Sequence, residues 1–330
     1  MTCAAFLLSV DAYVSVYSDA VRTRLGRHVQ LGPIVTPPQD WRQHRAALAP
    51  VEILFSGWGV PVMDEPLLGA LPQLKVIFYA GGSVRCFTTD ALWSRGVRLT
   101  TAAAANAIPV CEYTVSAILL GLKRFWHYAR LTRELRTFQS ERPLPGAYLA
   151  TAGLVSYGTV ARLVRHKLRT HELTILVYDP YLSEEEAHDE QVRKVELDEL
   201  FATSDVVSLH APLLPETLQL IRGEHFDRMK PCAHFINTAR GEIVHEGEMI
   251  AALRRRPDLQ ALLDVTAPEP PLRHSPLYTL PNVILTPHLA GSLGAECERL
   301  GHAMADELER YVEGRPLRWE VTRERAARMA

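Results

Sequence analysis

Short runs rich in β-branched residues alternate with helix-length amphipathic stretches along almost the whole chain. Few architectures satisfy that alternation. A strand returns parallel to its predecessor only through a crossover long enough to hold a helix, so the pattern predicts α/β structure with parallel sheets covered on both faces. In the first third, strands are expected at 4–9, 52–55, 76–79 and 97–100, with helical stretches at 19–25, 41–49 and 63–70. The middle block is cleaner, with strands at 152–155, 174–178, 206–210, 234–237, 259–264 and 283–286, enough for a complete doubly wound sheet.

Two long helices set the blocks apart. One starts after Pro109 and runs through Leu122 towards Arg136; the other follows Gly294 to about Glu313. If the second returns the chain to the first block, that domain is discontinuous, comprising 1–105 and 295–330 around an insert of 106–294. A length of 330 residues suits two Rossmann-like domains, the first flavodoxin-like, with a cleft between them. Residues 137–150, with Pro143, Pro145 and Gly146, read as an extended surface connection, and the arginine-rich tail 315–330 carries no signal.

A formal charge of −2 and a pI near 6.7 supply no field that would attract nucleic acid or an anionic membrane, so partners are expected to be small molecules or a second copy. Cysteines 3, 86, 111, 232 and 297 are scattered, without metal-ligand or redox spacing, and read as reduced thiols. The most apolar stretch, 110–122, carries Glu112 and runs into Lys123 and Arg124, which reads as too short and too charged to span a bilayer. No basic segment followed by a cleavage site marks the start of the chain, so the cytoplasm is the expected location.

Residues 152–161, AGLVSYGTVA, form a strand, a turn and the start of a helix. Aligned on the three-glycine dinucleotide fingerprint, Gly153, Val155 and Gly158 take the three places. Gly153 then serves the tight turn and Gly158 the close packing of helix on strand, while Val155 would crowd a pyrophosphate. A plain strand–turn–helix is the competing reading. The next strand ends at Asp179 and Pro180, about 20 residues on, where a carboxylate accepts ribose hydroxyls and repels a 2′-phosphate. Arg162, Arg165, Lys167 and Arg169 read as a solvated helix face.

Three later strand ends carry the chemistry. NTARG, 237–241, puts Arg240 at a carboxyl edge, where its planar fork matches a carboxylate. LLDVTAPEPP holds Asp264 at a strand end and Glu269 in a proline-braced loop, and LTPHLAG holds His288 after the last strand. Ketone reduction needs a proton for the developing alkoxide, and histidine changes charge near neutral pH. A neighbouring carboxylate favours its protonated form. Glu269 would thus orient and charge His288, the neutral imidazole would take the proton back in the reverse direction, and Arg240 would polarise the carbonyl.

Together these motifs resemble the D-isomer-specific 2-hydroxyacid dehydrogenase family, over roughly residues 74–311. The resemblance rests on DVVSLHAP (205–212) with Thr217, MKP (229–231), NTARG, LDV with Asp264, and SPLYTLPNVILTPHLAG ending at Gly291. It implies an NAD-dependent enzyme, usually dimeric, acting on a small 2-oxo or 2-hydroxy acid with Arg240, Glu269 and His288 as the catalytic set. Asp264 is expected at the nicotinamide amide. The candidate cofactor contacts are Ser156, Tyr157, Gly158, Thr159, Asp179, Pro180, His210, Ala211, Pro212, Thr217, Thr238, Ala239, Asp264, Ala290 and Gly291. The substrate contacts expected beside Arg240 and His288 are Gly81, Gly82, Ser83 and Asn106. The family's substrate loop, AGVGVDN, is matched by Ala80 to Arg85, with Arg85 where an acid is common; His245 stands where Asp is frequent. No metal is expected. A phosphite or phosphonate dehydrogenase on the same scaffold and an NAD(H)-sensing corepressor-like protein are the alternatives.

Overall fold

Five parallel strands form the first sheet: β1 (Cys3–Leu7), β2 (Gln30–Val35), β3 (Ile53–Ser56), β4 (Val76–Tyr79) and β5 (Arg98–Thr101), in the order β2-β1-β3-β4-β5. The computed structural model describes residues 1–138 and 146–329. Strands β3 and β4 are buried along their whole length, which is why they read as unbroken apolar runs. Strand β2 escapes the sequence pattern because it is an edge strand, alternately exposed and half-buried, with Gly32 and Pro33 inside it. An edge position tolerates the missing proline N–H, and the β1–β2 register shifts between Ala4 and Phe6. The stretch expected as one helix at 41–49 divides into a 3₁₀ turn, Pro38–His44, and a short helix, Arg45–Leu48.

The chain divides into two compact units, Met1–Asn106 with Ser292–Ala330, and Ala107–Gly291. In the first, the helix Glu296–Val312 buries Leu300, Met304, Ala305 and Leu308 in one cluster with Phe6, Val16, Phe55 and Phe78. Full burial of each leucine contributes about 1.5–3 kcal/mol. A Cβ on Gly301 would lie 2.1 Å from the Val16 carbonyl oxygen, so this helix reaches its neighbour only by lacking a side chain there. The tail, which carries no signal in the sequence, is tied to this unit. Glu320 bridges antiparallel to Thr100, and buried Glu307 accepts from the Thr100 hydroxyl and from the amides of Arg318 and Trp319.

The second unit holds seven parallel strands: β6 (Thr151–Val155), β7 (Thr174–Tyr178), β8 (Arg193–Lys194), β9 (Val206–Leu209), β10 (His234–Asn237), β11 (Gln260–Leu263) and β12 (Val283–Leu285). Their order is β12-β11-β10-β9-β6-β7-β8. The two-residue edge strand β8 is too short to leave a periodic trace. The expected long helix divides into Ala103–Leu122 and Phe125–Leu135, broken at Arg124, whose φ is +50°. Pro109 lies inside the first of these, because the alanine-rich run before it starts the helix earlier. At 20 residues and a mean hydropathy of 1.4, that helix is long and apolar enough to cross a membrane, which the shorter stretch 110–122 did not suggest. Its Cys111, Ala117, Ile118 and Leu122 belong to the core of the second unit. Of the connection expected at 137–150, Pro143 and Pro145 lie outside the described residues.

His234, at the start of β10, stacks on Trp126 at 5.4 Å, and a Cβ on Gly121 would meet its ring at 2.5 Å. Neither ring nitrogen has a partner among the described residues. Burial, reinforced by the Arg124 charge, pushes its pKa down to about 3; burial alone takes His210 down to about 4. Both imidazoles are neutral in the fold and gain a proton on unfolding below about pH 6.5. Stability is therefore expected to fall as pH drops from 6.5 towards 4, approaching about 1.4 kcal/mol per pH unit for each histidine. Denaturant titration of His234→Phe against the parent should show a shallower decline by one proton.

Candidate active site

Strands β10, β11 and β12 are adjacent and in parallel register, Asn237 opposite Leu263 and Leu263 opposite Leu285. The loops that follow them therefore emerge side by side at one carboxyl edge, the usual ligand edge of such a sheet. Those loops carry Arg240, Glu269 and His288. His288 Nδ1 lies 2.6 Å from Glu269 Oε1, a charge-assisted distance, with both side chains nearly half exposed. His288 holds a left-handed backbone, φ +52°, and its amide donates to the Asp264 and Thr286 carbonyls at 2.9 and 3.0 Å. Asp264 itself is buried. Its carboxylate accepts from the Thr286 hydroxyl at 2.6 Å and from the amides of Leu289 and Ala290, each at 2.9 Å.

The Arg240 loop is equally constrained. Asn237 accepts from the Ala239 amide and donates to the Arg240 carbonyl, while Arg240 Nη1 donates to the Ala239 carbonyl at 2.6 Å. The Thr238 hydroxyl meets that of Thr114 at 3.3 Å, and the Tyr113 hydroxyl meets that of Thr286 at 3.0 Å. Burial raises the Tyr113 phenol above its usual range, which keeps it a proton donor. His245, which stands where the family frequently has Asp, caps the helix Glu246–Arg255 by accepting from the Glu248 amide.

The switch point of the sheet lies between β6 and β9, and the β6 loop corrects the fingerprint alignment. Gly153 is in mid-strand, where a Cβ would collide with Leu200 and Ser204, and Val155 is a fully buried core residue. Valine at 155 therefore crowds no ligand. The turn begins one residue later, at Ser156, whose φ of +73° is normally left to glycine. Gly158 caps the helix Thr159–Leu168 without a side-chain bond, and a Cβ there would meet open space. An uncapped helix start behind a glycine fits a pyrophosphate. Asp179 Oδ2 accepts from the Ser156 hydroxyl at 3.2 Å and the Tyr157 amide at 2.7 Å, and Oδ1 accepts from Tyr181. Across the switch point, His210 has a buried Nε2 without a partner among the described residues, followed by Ala211 and Pro212. Thr217 closes that loop by donating to the Pro212 carbonyl at 2.5 Å. The basic helix is not simply a solvated face. Arg165 is buried and donates to the Glu190 and Gln191 carbonyls, and Arg162 pairs with Glu186.

The expected substrate residues fall in the first unit. After β4, the Gly81 amide donates to the Tyr79 carbonyl, and the Thr101 hydroxyl donates to the Gly81 and Gly82 carbonyls. The Tyr79 ring leaves no room for a Cβ at Gly81. The amides of Gly82 and Ser83 have no acceptor among the described residues, so they and not Gly81 are available to an anion. Arg85 is exposed beyond them. Asn106 accepts from the Ser292 amide at 3.0 Å. Among the described residues no cluster of three or more acidic, histidine or cysteine side chains has the arrangement to hold a metal. Sequence reasoning missed Thr286, Tyr113 and Thr114, ordinary polar residues whose roles depend on neighbours far away in sequence.

Residues 115–290 match the NAD-binding domain of the D-isomer-specific 2-hydroxyacid dehydrogenases. The chain is 31% identical to D-3-phosphoglycerate dehydrogenase of Archaeoglobus fulgidus over 78% of this chain and 49% of that one. It is 32% identical to (S)-sulfolactate dehydrogenase of Chromohalobacter salexigens, over 79% of this chain and 87% of that one. The chain thus spans about half the length of the phosphoglycerate dehydrogenases it matches. Among solved structures, the NAD complex of a D-isomer-specific 2-hydroxyacid dehydrogenase from Lactobacillus delbrueckii superposes with a TM-score of 0.81 at 20% identity, covering 98% of this chain and 100% of that one. This last likeness is one of fold.

Gly241 ties the Arg240 loop to the Glu269 loop. A Cβ there would lie 2.0 Å from the Thr266 carbonyl carbon and 2.2 Å from its oxygen, backbone atoms that no rotamer change can move. Gly241→Ala is expected to cost at least about 1–3 kcal/mol. Urea unfolding of the purified variant checks this.

Proposed function

The chain belongs to the D-isomer-specific 2-hydroxyacid dehydrogenase family, and from that premise we propose that it interconverts a small 2-oxo acid and its D-2-hydroxy acid with NAD. The observation that carries this reading is the 2.6 Å contact of His288 Nδ1 with Glu269 Oε1, on loops beside the one that holds Arg240. Glu269 accepts from Nδ1–H and so fixes the ring, leaving Nε2 as the atom that handles the substrate proton. Bound NADH supplies the hydride. As charge develops on the carbonyl oxygen, Nε2–H donates to it, and the guanidinium of Arg240 holds the carboxylate and polarises the carbonyl. In the oxidative direction the neutral Nε2 takes the hydroxyl proton.

The cofactor is assigned to the switch point of the second unit. The uncapped helix start at Gly158 and Thr159 would take the pyrophosphate, Ser156 and Tyr157 shape the turn before it through their amide bonds to the Tyr178 carbonyl and the Asp179 carboxylate, and Asp179 with Pro180 would take the adenosine ribose. His210, Ala211, Pro212 and Thr217 flank that crevice, while Thr238, Ala239, Asp264, Ala290 and Gly291 line the edge towards the nicotinamide. In the first unit, Gly82 and Ser83 offer amides to an anion, with Gly81 shaping their turn and Asn106 bonded to Ser292. The protein is assigned to the cytoplasm as a homodimer. Five free thiols suit a reducing compartment, and exposed Phe125, Leu135, Phe138, Tyr148 and Leu149 supply apolar surface for a second copy.

A panel of 2-oxo acids with NADH, followed at the nicotinamide absorbance, tests the reading; silence across the panel would overturn it. His288→Ala is expected to lower turnover by about 10²–10⁴-fold with NADH binding unchanged within about twofold. Arg240→Ala should lower kcat/KM by about 10²–10³-fold, chiefly through the acid. The parent should prefer NADH, since a 2′-phosphate would meet Asp179; a preference for NADPH refutes that assignment.

A further inference from the structure

The Asp264 carboxylate faces inward on three donors of its own chain, and those donors belong to the His288 loop. Leu289 and Ala290 donate their amides to Oδ1 and Oδ2 at 2.9 Å each, and the Thr286 hydroxyl donates to Oδ1 at 2.6 Å. The Asp264 carbonyl also receives the His288 amide at 2.9 Å. The loop from Thr286 to Ala290 is thus wrapped around one buried carboxylate. A threonine hydroxyl has a single proton. With that proton committed to Asp264, the 3.0 Å contact between Tyr113 and Thr286 requires the tyrosine to donate.

We propose that Tyr113 and Thr286 are positioning residues that act through Asp264 to set the imidazole of His288 against Glu269. The relay runs from the Tyr113 hydroxyl to Thr286, on to Asp264, and from there to the amides on the C-terminal side of His288. It begins on the helix Ala103–Leu122, whose next residue, Thr114, reaches Thr238 in the Arg240 loop. One helix therefore braces the loops of both the proton carrier and the carboxylate-binding arginine. Two constraints make the bracing matter. His288 holds a left-handed backbone that L side chains rarely adopt, so the loop needs outside bonds to keep it. Both His288 and Glu269 are nearly half exposed, so no packing shell immobilises their side chains.

The proposal rests on the reading of His288 as proton carrier, and its test separates the two. In the protein without cofactor or substrate, ¹⁵N–¹H correlation spectra at a pH where His288 is neutral should show the Nδ1–H tautomer that Glu269 selects. Thr286→Ser should keep that tautomer and Thr286→Val should lose it to a mixture. This readout stands even if no 2-oxo acid is turned over. With the 2-oxo acid that the panel identifies as best, Thr286→Val should lower kcat by about tenfold, as a displaced proton carrier does, with KM for NADH unchanged within about twofold. Thr286→Ser should restore kcat. Tyr113→Phe should lower kcat by about threefold, and the double variant Tyr113→Phe/Thr286→Val should fall no further than Thr286→Val, because the two act in series. Retention of both tautomer and kcat in a folded Thr286→Val protein overturns the proposal, as does a double variant whose losses multiply. Thermal melts of each variant confirm that the comparison is between folded proteins.

Discussion

A single buried carboxylate organises the carboxyl edge that carries Arg240, Glu269 and His288. Asp264 ends the strand next to β10 and β12, and both of its oxygens and its carbonyl are bonded to the loop that carries His288. A buried charge is tolerated only when its lone pairs are met, so the loop cannot leave Asp264 without exposing an unpaired carboxylate. That dependence fixes where His288 enters and, through it, where Glu269 must stand. Thr286 and Tyr113 extend the same network back to a core helix.

The cofactor side of the sheet shows a different economy of means. Ser156 occupies a backbone conformation that glycine adopts at least cost, and its hydroxyl bonds to Asp179 beside the Tyr157 amide. The loop and the carboxylate at the end of β7 are therefore joined within the chain itself. Gly158 keeps the space in front of the helix start open, while the helix behind it is anchored by a buried arginine. Preorganised amides at a helix start need little rearrangement to receive an anion.

The α/β class and most strands were legible because fully buried parallel strands read as apolar runs. Strands β2 and β8 were not, since edge strands carry polar, glycine or proline residues that look like turns. Arg240, Glu269 and His288 were legible as motif residues next to strand ends. The fingerprint was misaligned for a physical reason. Gly153 is a glycine required by packing against Leu200 and Ser204, and Ser156 fills the turn position where glycine is usual. Sequence cannot tell a glycine needed for close packing from one needed for positive φ.

By itself the sequence determined the alternating architecture, the acid at the end of β7 and the identities of the groups able to move a proton or hold a carboxylate. These follow from local composition and from the chemistry of side chains. Only the tertiary structure decided that Leu263 aligns with both Asn237 and Leu285, and hence that three loops share an edge. It alone decided that Tyr113 meets Thr286, residues separated by 173 positions. The bonds of Asp264 depend likewise on strand register, a long-range property set when the hydrophobic faces of the sheet are buried together.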